Sequence, residues 1–224
     1  MERENIKSVV CEFMKAAQSD KAIAFLDNLI IHDPTNYELR LLMAMLMIDD
    51  AIYDIDRALY YLRSIVADKK EIRATLLTAY IENFYKGKIS IETIHALNEQ
   101  QHSESVPAKY KKYGPYFNYL YSKVKQDENA CITFLLQSIQ VDSYAVNNYW
   151  RLAEIYFKNK LYRNAEINIR KAFLNVRKVE ESYEELDTLD FESIINEHIS
   201  GIELSHINYD TLKSDCEKFT SYLK

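Results

Sequence analysis

Residues Asn147 to Val176 read NNYWRLAEIYFKNKLYRNAEINIRKAFLNV, and the architecture of the whole chain can be predicted outward from them. Apolar residues recur at one-turn spacing in the first half, which is typical of a helix with one apolar face. The polar run KNK at 158–160 interrupts this stripe, and a second stripe follows at Tyr162, Ala165, Ile169, Ala172 and Phe173. The stretch therefore predicts two amphipathic helices folded back on one another. The small residues Ala153 and Ala165 let their backbones approach closely.

The same register recurs near the beginning of the chain. Val9, Phe13, Ala22 and Leu26 each lie 143 positions before Leu152, Tyr156, Ala165 and Ile169. The two predicted hairpins thus share their internal spacings, including the spacing across the turn. A second unit runs from residue 35 to about residue 67, and weaker units follow at 71–97 and 116–142. Adjacent units that recur at about 34 residues predict a helical repeat array.

This arrangement resembles the tetratricopeptide repeat (TPR) family. The resemblance rests on a Leu–small pair, an aromatic residue three positions on, another aromatic after the turn, and alanines at later helical steps. The chain departs from the family pattern at Lys160, where glycine is usual, and at Arg177, where proline is expected. The resemblance implies an all-α, right-handed superhelix of antiparallel helix pairs, in which the first helix of each pair generally lines a concave face.

Composition agrees with a nearly all-helical chain. Its 224 residues include only three Gly and three Pro, and 48% of them are hydrophobic. We expect about five helix pairs over residues 1–179. Beyond them the pattern changes to the acidic run EESYEELDTLD at 180–190. Because a repeat array exposes an apolar face at its end, we expect residues 180–224 to form capping helices. A separate functional domain is the alternative.

Charge and cysteine usage exclude several classes of protein. The formal charge of −6 is spread along the chain, so no overall basic field would attract nucleic acid or an anionic membrane. The longest apolar run, residues 41–48, is far shorter than the roughly 20 residues that cross a bilayer. The N-terminus does not read as a secretory signal. Three widely separated cysteines favour a reducing, cytoplasmic compartment over a disulfide framework.

The TPR resemblance implies a partner-binding groove on the concave face. Carried over residue by residue, it places Asn147, Trp150, Glu154, Phe157 and Lys158 of the fifth unit there, with Leu41, Met45 and Ile48 of the second. Trp150 is the only tryptophan, and an aromatic residue flanked by polar groups suits peptide binding. Packing of Trp150 against the preceding repeat or the C-terminal helices is an equal alternative. The expected function is a non-catalytic scaffold or adaptor that holds a peptide or helix of a partner protein.

The helix predicted at 36–48 is apolar almost all round, which indicates burial on more than one side. A neighbouring helix, a second copy of the chain or a partner could cover it. A second function hypothesis follows: a self-associating structural or assembly protein, or a secretion-type chaperone, that buries this apolar groove in a homodimer. Methionines there suit either a core or an adaptable surface.

The remaining candidate sites are weak. Two small sets stand out, a His/Glu set at Glu197, His198, Glu203 and His206 and a basic–aromatic set at Lys109, Lys111 and Lys112. The first lacks two histidines at i and i+4, so a solvated surface is favoured over a metal site. The second carries too little charge for a nucleic-acid patch. Because the sequence also shows no glycine-rich phosphate loop and no nucleophile motif, we expect no enzyme activity, cofactor or metal.

Overall fold

The computed structural model describes residues 3–69, 71–101, 103–104, 106–143, 145–181, 189–200 and 209–223. These residues form thirteen helices: α1 (Arg3–Lys15), α2 (Ser19–His32), α3 (Tyr37–Met47), α4 (Ile55–Lys69), α5 (Ile72–Phe84), α6 (Ile91–Gln101), α7 (Ala108–Lys111), α8 (Gly114–Val124), α9 (Glu128–Val141), α10 (Val146–Lys158), α11 (Tyr162–Glu181), α12 (Phe191–Ser200) and α13 (Tyr209–Ser221). The predicted all-α fold class is confirmed.

Consecutive helices pack as hairpins. The pairs are α1/α2, α3/α4, α5/α6, α8/α9 and α10/α11, and each pair also contacts the next one along the chain. The single-turn helix α7 lies between the third and fourth pairs. The array of antiparallel pairs matches the superhelix that the repeated register predicts.

Each hairpin turns on a residue with positive φ. These residues are Ala17 (54°), Tyr53 (53°), Gly87 (73°), Gln126 (58°) and Lys160 (60°). At three of the turns, the amide that follows this residue donates a hydrogen bond to the carbonyl five positions back: Gln18 to Phe13, Asp127 to Ser122 and Leu161 to Tyr156, over 2.9–3.0 Å. This pattern satisfies helix-end carbonyls and reverses the chain. Lys160 thus adopts the conformation for which the TPR pattern has glycine.

Side-chain caps fix where several helices begin. Asn36 accepts a hydrogen bond from the amide of Leu39, and Asp127 accepts one from the amide of Ala130. Such caps satisfy amides that have no partner within the helix. Gln18, by contrast, precedes α2 and its side chain makes no capping bond.

Small residues lie where paired helices are closest. Ala153 of α10 and Ala165 of α11 are completely buried, as are Ala22 of α2 and Ala58 of α4. A side chain no larger than a methyl group allows close approach of two helix backbones, and large neighbours fill the remaining space. These residues belong to two buried clusters, one over most of the array and a smaller one under the last pair.

The two C-terminal helices pack in different places. α13 lies against α11 of the last pair, whereas α12 contacts α5 and α10, the first helices of the third and fifth pairs. α12 therefore lies on the inner side of the array, and α13 covers its end.

Candidate partner-binding site

An open cleft runs between α8 and α10 on the inner side of the array. Two adjoining cavities, of about 380 and 400 Å³, form it. Both are lined by Tyr119 and Lys123 of α8 and by Arg151 of α10. We call this surface the α8–α10 cleft; its remaining walls include Tyr116, Asn147, Glu154, Ile155 and Lys158.

The α8 wall is aromatic. The rings of Tyr116 and Tyr119 lie 6.0 Å apart, and both side chains are almost entirely buried. Burial raises the pKa of Tyr119 to about 12. Since both rings are fixed by packing, they form a rigid apolar floor with phenol groups that can hydrogen-bond.

Charged groups of α10 face this floor. Arg151 donates a hydrogen bond from Nη1 to Glu154 Oε2 over 2.8 Å, and its guanidinium also lies 4.7 Å from the centre of the Trp150 ring. Burial, the largest single effect, disfavours the charged guanidinium, but the hydrogen bond to Glu154, the charge of Glu154 and the nearby tyrosines together outweigh it, so the pKa of Arg151 is raised. A fixed cation with several donors is suited to carbonyl or carboxylate groups.

Glu128 of α9 closes one end of the cleft. Its carboxylate accepts hydrogen bonds from Asn159 and, over 3.5 Å, from Lys158. The bond from Asn159 is the main cause that lowers the pKa of Glu128. Cys131 lies in the same wall, where burial raises the pKa of its thiol. A thiol held in its protonated form is a poor nucleophile.

The predicted contact residues of the fifth unit divide into two groups. Asn147, Glu154 and Lys158 line the α8–α10 cleft. Trp150 and Phe157 instead face α13: Trp150 donates a hydrogen bond from Nε1 to Asp215, and the Phe157 ring stacks on that of Phe219. Of the two alternatives for Trp150, the structure shows packing against a C-terminal helix.

The predicted contact residues of the second unit lie in the core. Leu41 is completely buried, and Met45 and Ile48 are nearly so. Met45 also lines a separate cavity, whose opposite wall is formed by residues 189–192 at the start of α12. The structure therefore does not bring these residues together with the α8–α10 cleft, and the chain itself covers the apolar helix α3.

Sequence reasoning missed Arg151, which is central to the cleft. A signal was present, because Asn147, Arg151, Glu154 and Lys158 follow one another at steps of four, three and four residues. Such spacing places them on one helix face. Of the five residues predicted for this unit, Asn147, Glu154 and Lys158 therefore share a helix face with Arg151.

The structure describes only part of the two weak candidate sites. Lys109 of the basic–aromatic set pairs with Glu192 of α12 over 2.5 Å. The side chains of the His/Glu set at 197, 198, 203 and 206 lie outside the described residues. Among the residues that are described, no cluster of three or more His, Cys, Asp or Glu could hold a metal ion. None of the described helices combines the length and apolar character needed to span a membrane.

The chain was compared with known protein families, sequences and solved structures. No protein-family model and no curated protein sequence matches the chain. PilW, a type IV pilus biogenesis factor, superposes with a TM-score of 0.64 at 13% identity over 100% of this chain and 93% of its own. MamA from Desulfovibrio magneticus RS-1 (residues 41 to the end) gives 0.58 at 12% identity, over 81% and 97%.

A further MamA crystal structure gives a TM-score of 0.60 at 17% identity, covering 78% of this chain and 98% of that one. MamA and PilW are TPR-containing proteins. Identities this low establish a common fold and nothing finer. The chain thus has the TPR-like fold, a superhelix of antiparallel helix pairs.

Proposed function

We propose that this protein is a non-catalytic interaction scaffold or adaptor that binds an extended segment of a partner protein in the α8–α10 cleft. The observation that carries the proposal is the cleft itself. It combines a rigid tyrosine floor with a row of amide and charged side chains along α10. Stacked helix pairs present such extended concave surfaces and use them for binding.

The chemistry of the cleft suits a peptide. Asn147 offers both a donor and an acceptor to a peptide backbone, and Arg151 offers guanidinium donors. The tyrosine floor is almost entirely buried, so it gives the base of the cleft a fixed shape, and its rings lose no side-chain freedom when a peptide binds. Lys158, which is mostly exposed at the rim, favours an acidic residue at that end of the bound segment.

The ionisable groups of the cleft support binding rather than catalysis. Arg151 pairs with Glu154, and Lys158 pairs with Glu128. The raised pKa of Cys131 opposes a role as nucleophile. These ionisable groups can be explained by ion pairing and ligand binding, so we propose no catalytic reaction in the cleft.

The fold likeness supports the same class of function. PilW is a pilus biogenesis factor, and assembly factors need surfaces that hold other proteins. We further propose a reducing, cytoplasmic compartment, because the three cysteines, Cys11, Cys131 and Cys216, are odd in number and far apart in the sequence. The homodimer alternative rests on the apolar helix α3, but its residue Leu41 is completely buried by other helices of the same chain, so Leu41 offers no surface to a second copy.

Site-specific crosslinking tests the proposal. A photo-crosslinking amino acid at position 158, at the cleft rim, should capture a partner protein that the same group at position 163, on exposed α11, does not capture. Arg151→Glu should then reduce binding of the purified partner by about tenfold or more, the effect of losing a charge-assisted contact. Equal capture from both positions, or binding that Arg151→Glu leaves unchanged, would contradict the assignment of the cleft.

A further inference from the structure

A segment of the chain itself occupies the other half of the concave side. α12 contacts α5 and α10, and Leu189, Phe191 and Ile195 are buried between inner helices. An amphipathic helix with its apolar face in a groove is a common mode of partner recognition. Here the bound helix and the groove belong to the same polypeptide.

The contacts of this segment form a specific pattern. The ring of Phe191 lies edge-on to those of Tyr110 and Tyr113, with centroids 5.5 and 6.4 Å apart. The acidic residues on either side of Phe191 each face a lysine. Asp190 lies 3.9 Å from Lys7 of α1, and Glu192 lies 2.5 Å from Lys109 of α7.

Asp190 has a second role. Its carboxylate accepts hydrogen bonds from the amide and hydroxyl of Ser193, over 2.9 and 3.2 Å, and so caps α12. The helix start and the ion pair with Lys7 therefore depend on the same side chain. An aromatic anchor between two carboxylates, with Ile194 and Ile195 one turn further on, defines what the groove recognises.

The segment does not fill the groove. A cavity of about 450 Å³ remains between residues 189–192 and the helices α1, α3 and α5. Its lining combines the apolar side chains of Ile6, Leu39, Leu42 and Met45 with the polar side chains of Lys7, Asn36, Glu38 and Arg73. Ligand sites typically enclose about 300–1,000 Å³. An occupant with a larger apolar face than α12 would therefore gain contacts that α12 leaves unmade.

We propose that this α12 groove is the docking site for an amphipathic helix of a partner protein, and that α12 is its intramolecular placeholder. The partner helix carries an acidic–aromatic–acidic turn followed by two adjacent branched aliphatic residues. Its acidic groups pair with Lys7 and Lys109, and its apolar face fills the cavity beside Met45. This site is separate from the α8–α10 cleft, so either proposal can fail without the other.

Displacement of α12 limits the affinity in the intact chain. A tethered segment competes with a free helix at a high effective concentration. The apparent dissociation constant rises in inverse proportion to the fraction of molecules with an open groove. A substitution that loosens α12 should consequently strengthen the binding of a separate helix to the groove.

Fluorescence anisotropy with a synthetic peptide tests this linkage. The probe is a fluorescein-labelled, C-terminally amidated peptide with the sequence of residues 189–200, added to the full chain. Phe191→Ala in the chain removes the anchor of α12 and should tighten peptide binding by about tenfold or more. Phe219→Ala, the same substitution in α13 and outside the groove, should leave peptide binding at the wild-type level.

A charge exchange tests the register. Lys109→Glu, added to the Phe191→Ala chain, should weaken the binding of the peptide with the native sequence. A peptide that carries Glu192→Lys should bind this doubly substituted chain more tightly than the native peptide does. Circular dichroism checks the fold of each variant. Should Phe191→Ala unfold the chain, Glu192→Lys in the chain, a substitution at the groove rim, opens the groove instead.

Three outcomes would overturn the proposal. The peptide binds the opened chains no more tightly than the wild type, or Lys109→Glu has no effect on it. The third outcome is that light scattering shows concentration-dependent dimers of the wild-type protein and that the peptide dissociates these dimers. That result would identify a second copy of this chain as the occupant.

Discussion

Phe157 of α10 and Phe219 of α13 stack face to face, with ring centroids 4.4 Å apart and planes inclined by 16°. Trp150 makes a second link between the same helices, through its hydrogen bond of 3.1 Å to Asp215. α13 is thus held on the last repeat by an aromatic stack and a partly buried hydrogen bond. Two residues that the sequence assigns to a partner-binding groove hold this helix in place.

Removal of the stacked ring should loosen α13 before the rest of the chain. We expect Phe219→Ala to lower the free energy of docking of this helix by about 3 kcal/mol, the low end for a buried phenylalanine. Because Trp150 is the only tryptophan, its emission reports this contact alone. In urea, the emission of the variant should change at a lower concentration than its circular dichroism.

Leu223→Ala, which removes a side chain that is 43% exposed, is the matched control and should leave both transitions where the wild type has them. Coincident transitions in Phe219→Ala would show instead that α13 and the array unfold as one unit.

The turn residues allow a reciprocal pair of substitutions. Lys160 and Gly87 both have positive φ, at 60° and 73°, in the hairpin turns of the fifth and third pairs. A left-handed conformation costs a non-glycine residue about 1–2 kcal/mol, and glycine's greater freedom in the unfolded chain offsets about half of that. Lys160→Gly should therefore stabilise the protein by about 0.5–1 kcal/mol. Gly87→Ala should destabilise it by a similar amount.

Urea denaturation measures both free energies of unfolding. An alanine Cβ at position 87 would meet no atom within 4 Å, so any loss there comes from the backbone conformation and not from a clash. If Lys160→Gly destabilised the chain, side-chain contacts of Lys160 would have to outweigh its backbone strain.

The repeat architecture could be predicted because it depends on local pattern. Small residues such as Ala22 and Ala165 must be small in every hairpin, and their separation of 143 residues preserves the helical phase. The left-handed residue of the turn lies at the same offset, since Ala17 also precedes Lys160 by 143 positions. Neither feature requires knowledge of distant contacts.

The location of the C-terminal helices could not be predicted in the same way. The apolar stripe of α12, with Phe191 and Ile195, shows that one face is buried but not which surface covers it. That choice depends on residues such as Tyr110 and Tyr113, which lie far away in the sequence and contact the Phe191 ring only in the folded chain. The contacts of Trp150 and Phe157 with α13 could not be predicted from the sequence for the same reason.

Alkaline conditions should reveal the buried tyrosine of the cleft. Burial raises the pKa of Tyr119 from 10.0 to about 12. Between these values, the unfolded chain loses the phenol proton while the folded chain keeps it. The contribution of the Tyr119 phenol to the free energy of unfolding is therefore fully present below pH 10 and is lost as the pH rises towards 12. At pH 11 the loss is about 1.4 kcal/mol, one pKa unit.

Urea denaturation at pH 8 and pH 11 measures this effect. Tyr119→Phe removes the titrating group, so its free energy of unfolding should fall by about 1.4 kcal/mol less than that of the wild type. Tyr60→Phe, at a position that is 70% exposed, should follow the wild type. Identical pH dependence in all three proteins would mean that water reaches the Tyr119 phenol in the folded chain.

The close approach of α10 and α11 should depend on the size of residue 153. Ala153 is completely buried and faces the other helix of its hairpin, in which Ala165 is also completely buried. Leucine in place of Ala153 adds three carbon atoms where no space is left, and such overpacking typically costs about 1–3 kcal/mol. The added atoms would push the two helices apart and disturb the face of α10 that carries Arg151. Ala153→Leu should accordingly weaken both stability and partner binding in the cleft, whereas Ala108→Leu, on an exposed position of α7, should change neither.

Chemical denaturation and the crosslinking assay measure the two effects. A variant that loses stability but keeps full partner binding would show that the cleft does not depend on the spacing of this hairpin.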